Sequence, residues 1–123
     1  MKYQIQKLDG RYSYNRYFEY YIGFPARMSY NQGPADFTQA LKWFFSTYGW
    51  SAEIRNWVDI LNWHNTSLPM MKVKGGFVRQ LPKNVPDECN TTWSWSNGYD
   101  DLRIYVKSDA ELSFFQLAHP NLK

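Results

Sequence analysis

Two helical stripes follow one another directly in this sequence, with period-two segments on either side. That order restricts the fold more than any other feature. Gly33-Pro34 opens the first stripe. Proline suits the first helical position, where a missing N–H needs no partner. Phe37, Ala40, Leu41, Phe44 and Tyr48 then recur at helical spacing, and Gly49 ends the run. Ser51 reads as the cap of a second helix, in which Ile54, Trp57, Val58 and Leu61 form one apolar stripe. Only Trp50 and Ser51 separate the two runs, which predicts a helical corner or hairpin.

The flanking segments alternate. Residues 1–10 suggest a short strand ending at Asp9-Gly10. In residues 11–24, Tyr12, Tyr14, Phe18, Tyr20, Ile22 and Phe24 fall on one face, with Tyr17 and Tyr21 opposite, which predicts a strand. Met70 to Leu81 reads as a hairpin turning at Gly75-Gly76. Thr91 to Val106 reads as a second hairpin turning at Asn97-Gly98, with Leu102, Ile104 and Val106 facing the core. Ser108-Asp109-Ala110-Glu111 is a capping box that starts a last helix, and His119-Pro120 stops it. Strands and helices mix without βαβ alternation. The expected class is α+β: a small antiparallel sheet with three helices packed mainly on one face, a ferredoxin-like variant being the nearest familiar layout. A chain of 123 residues predicts one domain, residues 1–123.

Composition narrows the chemistry. One cysteine excludes a disulfide framework and any multi-cysteine zinc site. No apolar run approaches membrane-spanning length, and the first residues lack the apolar core of a signal peptide. The expected location is therefore the cytoplasm. Asn65-Thr66-Ser67 and Asn90-Thr91-Thr92 match the glycosylation pattern, which carries little meaning without secretion.

No catalytic set assembles. Cys89 stands beside Asp87 and Glu88, which oppose thiolate formation. His64 and His119 both lie at predicted helix C-termini, where an imidazole makes a simple dipole contact. Asp100 and Asp101 are strand neighbours and point to opposite faces. No metal-ligand spacing or glycine-rich phosphate loop occurs, so neither enzyme activity nor a cofactor is expected.

Two patterns suggest binding instead. Between Asp59 and Asp87 every formal charge is positive: Lys72, Lys74, Arg79 and Lys83. A basic ribbon of this kind can meet phosphates, with Phe77 near enough to stack on a base. It can equally be a solvated, edge-protecting face. The second pattern is aromatic. With Phe 8, Trp 6 and Tyr 10, rings fall outside the predicted stripes. Trp43 lies about 120° off the first helical stripe, and Trp63 about 180° from Ile54. The last helix is apolar nearly all round, which predicts burial on more than one side and self-association through Phe114 and Leu117.

The run from Asp101 to Phe115 resembles the strand-then-helix ending of many small tailed-phage accessory proteins of unknown function. That resemblance implies a compact protein that works by binding, and it supplies no site residue. The leading expectation is a non-enzymatic protein that occludes a surface of a host protein or nucleoprotein complex. A minor virion or assembly protein is the first alternative. A small protein that sequesters a nucleotide is the second. The partners expected are thus a host protein or nucleoprotein complex, with nucleic acid or nucleotide as further candidates, no membrane, and other copies of the chain in a homo-oligomer.

Overall fold

The computed structural model describes residues 1–8, 17–25, 33–64, 70–79, 88–98 and 101–121. The elements run β1 (Gln4–Lys7), β2 (Tyr20–Phe24), α1 (Gly33–Tyr48), α2 (Ile54–His64), β3 (Met70–Val73), β4 (Gly76–Arg79), β5 (Trp93–Gly98), β6 (Asp101–Val106) and α3 (Asp109–Ala118). The fold is α+β, as expected. Four strands form an antiparallel sheet in the order β1-β2-β6-β5, while β3 and β4 make a separate two-stranded ribbon. β1 and β2 are hydrogen-bonded neighbours with no helix between them in the element order. That connectivity differs from the β-α-β-β-α-β order of a ferredoxin-like domain.

Strand alternation gives the sheet two unlike faces. On the first, Tyr20, Ile22 and Phe24 stand opposite Val106, Ile104 and Leu102. Trp93 and Trp95 extend that face, opposite Val106 and Ile104. α1 covers it with Phe37, Ala40 and Phe44, and α3 covers it with Leu112 and Phe115. On the second face, Tyr21 and Ser94 both stand opposite Tyr105. There Phe18, Ala52, Ile54, Trp57, Leu61, Cys89 and Tyr105 form their own buried cluster, and α2 is its helix. Two helices therefore lie on one face and one on the other.

α1 begins where the pattern predicts, and Gly33 is needed there for a packing reason. A Cβ at that position would stand 1.7 Å from the Pro25 carbonyl oxygen, so only glycine lets the helix start so close to the end of β2. Gly49 ends α1 with φ of 88°, in the left-handed region that favours glycine. Ser108 caps α3 as expected. Its Oγ accepts from the Ala110 N–H at 3.3 Å, and its hydroxyl also bonds the Glu111 carboxylate.

Three local expectations need correction. Ser51 does not cap α2; it is fully buried, and its hydroxyl bonds the Ala52 carbonyl. Glu53 takes the capping position instead. Its carboxylate accepts the Arg55 backbone N–H at 3.1 Å, and its carbonyl accepts the Trp57 N–H at 2.8 Å. Next, α1 and α2 do not form a corner, because the chain between them crosses the sheet edge to reach the opposite face. Finally, Asn97 and Gly98 belong to the β5–β6 ladder, paired with Leu102 and Asp101. The residues joining the two strands, 99 and 100, lie outside the described residues. The first half of the strand expected over residues 11–24 also lies outside them.

Candidate functional site

The crossing from α1 to α2 organises the surface around it. Backbone carbonyls in an irregular segment need donors wherever water is kept away. From Tyr48 to Ala52, each one has a side-chain donor from the segment leading into β5 or from β5 itself. Asn90 Nδ2 donates to the Tyr48 carbonyl at 2.9 Å and to the Trp50 carbonyl at 3.2 Å. Trp93 Nε1 donates to Gly49 at 2.9 Å, Trp95 Nε1 to Ser51 at 3.0 Å, and Ser94 Oγ to Ala52 at 2.8 Å. A parallel bridge between Glu53 and Trp95 adds the strap to the outer edge of β5. Beneath it, Trp57 Nε1 donates to the Asn90 carbonyl at 3.0 Å, fastening α2 to the same segment.

The strap fixes two tryptophans beside α2. Trp50 projects from it, 58% exposed, and Trp95 is half-buried. With Ala52, Glu53, Asn56, Asp59 and Ile60 they line a cleft of about 410 Å³. A second hollow of about 330 Å³ adjoins it, lined by Asp59, Ile60, Trp63 and Glu88. Asp59 and Ile60 belong to both, so the two form one groove. Asn56, Asp59, Ile60 and Trp63 recur at i, i+3, i+4 and i+7, the outward stripe of a helix whose inward stripe is Ile54, Trp57 and Leu61. The groove follows two turns of helix, about 10 Å.

Its charge is acidic. Glu53 is engaged by Arg55, whose Nε stands 3.3 Å from Oε1. Asp59 and Glu88 supply the remaining carboxylates, and among the described residues no lysine or arginine lines either hollow. Behind Glu88, Cys89 is buried and its thiol donates to the Trp57 carbonyl at 3.3 Å. Burial, with Glu88 adding to it, pushes this thiol up to about 11. It is a packed side chain in a setting that suppresses a thiolate.

The residues singled out from the sequence are scattered by the fold. Trp63 stands at one end of the groove, 73% exposed. Trp43 is half-buried between α1 and α3, with ring centroids of Phe114, Phe115 and His119 at 5.3, 5.5 and 5.5 Å. Phe115 stacks on His119, and burial followed by the N-terminal amine holds that imidazole below its ordinary value. His64 is the last residue of α2. Lys74 is exposed in the β3–β4 turn, with Gly75 at φ of 93° beside it. The ladder puts Lys72 opposite Phe77 and Met70 opposite Arg79. Lys83, Asp87 and Asp100 lie outside the described residues.

Within a single chain, α3 is covered on one side. Leu112 and Phe115 are buried, while Phe114 and Leu117 are 52% and 82% exposed. The sheet meets only one side of the helix, so its remaining apolar residues face outward.

Trp50 and Trp95 are the groove residues that sequence reasoning missed. Trp50 looked like a linker residue, and Trp95 like one more ring on a strand. The available signal was the run Trp93-Ser94-Trp95-Ser96. Small hydroxyls alternating with indoles put hydrogen-bond donors on both faces of one strand, as a strand crossed by another backbone requires. No protein-family model, curated protein or solved structure matches this chain. Among the described residues, no cluster of His, Cys, Asp and Glu forms a metal site, and no helix is long and apolar enough to cross a membrane.

Proposed function

We propose that this protein is a non-catalytic binding protein that docks on a partner protein through the groove along α2. The resemblance of residues 101–115 to phage accessory proteins supports a setting in which that partner is a host protein whose surface is occluded. The observation that carries the reading is the exposure of Trp50 and Trp63 at the two ends of one groove. Large aromatics dominate binding energy when a rigid scaffold presents them, because little freedom is lost on docking. Trp50 rises from a strap held by five side-chain donor contacts, and Trp63 from a helix anchored by Trp57.

One observation favours a second reading, in which copies of the chain assemble. Phe114 and Leu117 form an exposed apolar pair on α3, of the kind subunit contacts use.

The two readings separate in one experiment. Wild type, Trp50→Ala/Trp63→Ala and Phe114→Ser/Leu117→Ser are immobilised, exposed to lysate of the cell that carries the gene, and compared by mass spectrometry. Each is also sized by light scattering. The docking reading expects one partner held by wild type and by the α3 variant, and lost at least about tenfold by the tryptophan variant. All three should melt within about 0.5 kcal/mol of each other, because the altered residues are exposed. A partner retained by the tryptophan variant removes the groove from the reading. A multimer dispersed by the α3 variant establishes assembly.

A further inference from the structure

We infer that the occupant of the groove is a short basic segment of the partner protein, with an arginine or lysine side chain lying against Trp50 and Trp95 and facing Asp59. This rests on the docking reading and specifies its chemistry.

Three features point to a cation. The first is the state of the indoles. Trp95 has a single hydrogen-bond donor, and Nε1 already spends it on the Ser51 carbonyl at 3.0 Å. What the ring can still offer a ligand is π surface, which attracts cations. The second is the set of polar lining groups. Asn56 is neutral and can donate or accept, while the charged members, Asp59, Glu88 and Glu53, accept hydrogen bonds and, when ionised, donate none. Glu53 is already occupied by Arg55 and the start of α2, which leaves Asp59 and Glu88 as the carboxylates that can answer a new charge. Asp59 lines both hollows, so a cation in either is near it. The third is contrast with the rest of the chain. The protein carries a formal net charge of +3, yet among the described residues no lysine or arginine lines this groove.

Other ligand chemistries fit less well. A phosphate or an acidic peptide would meet carboxylates, with no cation facing it among the described residues. A wholly apolar segment would cover Asp59 and Glu88 without a partner, which is costly for a charged group. The dimensions favour a peptide over a single small cation. The groove holds two hollows in a row over about 10 Å, a span that about three extended residues cover. Arginine suits the first hollow best, since its planar guanidinium can stack on an indole while bonding a carboxylate at its edge.

The test uses the intact chain and a defined probe, the capped pentapeptide Gly-Arg-Gly-Arg-Gly, with counterparts carrying Gln or Glu at both Arg positions. Binding is read from the six indole N–H signals in a nitrogen–proton NMR spectrum. Trp50→Phe and Trp63→Phe assign the groove signals. The Arg peptide should move the Trp50, Trp63 and Trp95 signals and leave that of buried Trp93 in place. Asp59→Asn and Glu88→Gln should each weaken it by about fivefold or more, and salt raised from about 50 to about 300 mM should weaken it further. The Glu peptide should not bind. Equal binding of the Gln peptide, or full affinity in both carboxylate variants, overturns the basic-segment inference while leaving docking in the groove intact. Silence of the indole signals toward the Arg peptide overturns it as well. So does an equal response to tetramethylammonium, which reassigns the groove to a small cation. Doubling of the mass in wild type that Asp59→Asn reverses makes the occupant a second copy of this chain, and that too overturns the inference. Loss of the captured partner by Trp50→Ala/Trp63→Ala but not by Asp59→Asn/Glu88→Gln separates failure of this inference from failure of the docking reading.

Discussion

The two faces of the sheet are built from opposite materials. The first carries Ile22, Phe24, Leu102, Ile104, Val106 and Trp93 against two helices, with stacked rings such as Phe44 on Phe115 at 5.3 Å. The second carries Tyr21, Arg103, Tyr105, Ser94 and Ser96 against one helix. Part of it is held by polar contacts, including the Arg103 guanidinium 4.2 Å above the Tyr21 ring. A face covered by two helices has little surface left for ligands. A face covered by one leaves the flank of that helix open, and the groove lies on that flank. The more heavily covered side and the groove along α2 thus lie on different faces, with Trp95 at the sheet edge between them.

The strongest way to break this comparison is to empty each core in turn. Phe44→Ala on the first face and Trp57→Ala on the second should each cost about 3–5 kcal/mol. Their hydrogen-exchange patterns should differ. Phe44→Ala should lower protection across β2, β6 and β5 together. Trp57→Ala should release α2 first, because its indole is both the centre of the second cluster and the fastening to Asn90. If Trp57→Ala unprotects β1 as much as α2, the two faces are one cooperative unit and the division fails.

A smaller effect should come from the strap. Asn90→Ala removes the donors to Tyr48 and Trp50 and the acceptor for the Thr92 N–H. Urea unfolding should show a loss of about 1–3 kcal/mol. The Trp50 indole signal should narrow as the strap gains freedom. An unchanged urea midpoint would mean that water replaces Asn90 without cost.

How much of this was legible is clearest at α2. The stripe of Ile54, Trp57 and Leu61 marked a helix and its buried side, and Trp63 was placed opposite that side. Periodicity states which residues are buried and is silent on the face of the sheet that buries them, so α2 was grouped with α1. The groove was only half legible for a related reason. Trp63 follows from its own helix. Trp50 and Trp95 become neighbours of α2 only through hydrogen bonds between positions forty or more residues apart. On α3 the composition shows several apolar sides, and the fold covers Leu112 and Phe115 while leaving exposed Phe114 and Leu117, the pair expected to meet another copy.

The smallest effect should come from titration, with an acid limit at His119 and an alkaline limit at Cys89. His119, packed on Phe115 at the rim of the first face, is held below its ordinary value of 6.5 by burial and then by the N-terminal amine. The fold therefore favours the neutral imidazole. Its contribution is present above pH 6.5 and is lost as pH falls through the lowered value. Cys89 in the second cluster is raised from 9.0 to about 11, so its contribution is present below pH 9 and is lost as pH rises toward 11. Tyr3 and Tyr48, raised above 10.0 by burial, add loss on the alkaline side. Thermal melting should show a plateau between these limits. His119→Gln should flatten the acid arm alone, and Cys89→Ala the early part of the alkaline arm alone. Identical profiles for wild type and both variants would detach these groups from the stability of their faces.

The strap also sets an order in time. Its carbonyls belong to residues 48–52, and the donors that hold them belong to residues 90–95. A chain made from its N-terminus presents α1, the crossing and α2 well before those donors exist. Contacts so distant in sequence close late and slow the overall reaction. During synthesis α2 therefore has no edge to be tied to and no second face to cover until β5 emerges and joins β6. The groove takes shape only once β5 has emerged, and a nascent chain cut short of Asn90 would carry Trp50 and Trp63 but neither Trp95 nor the donors that hold the strap.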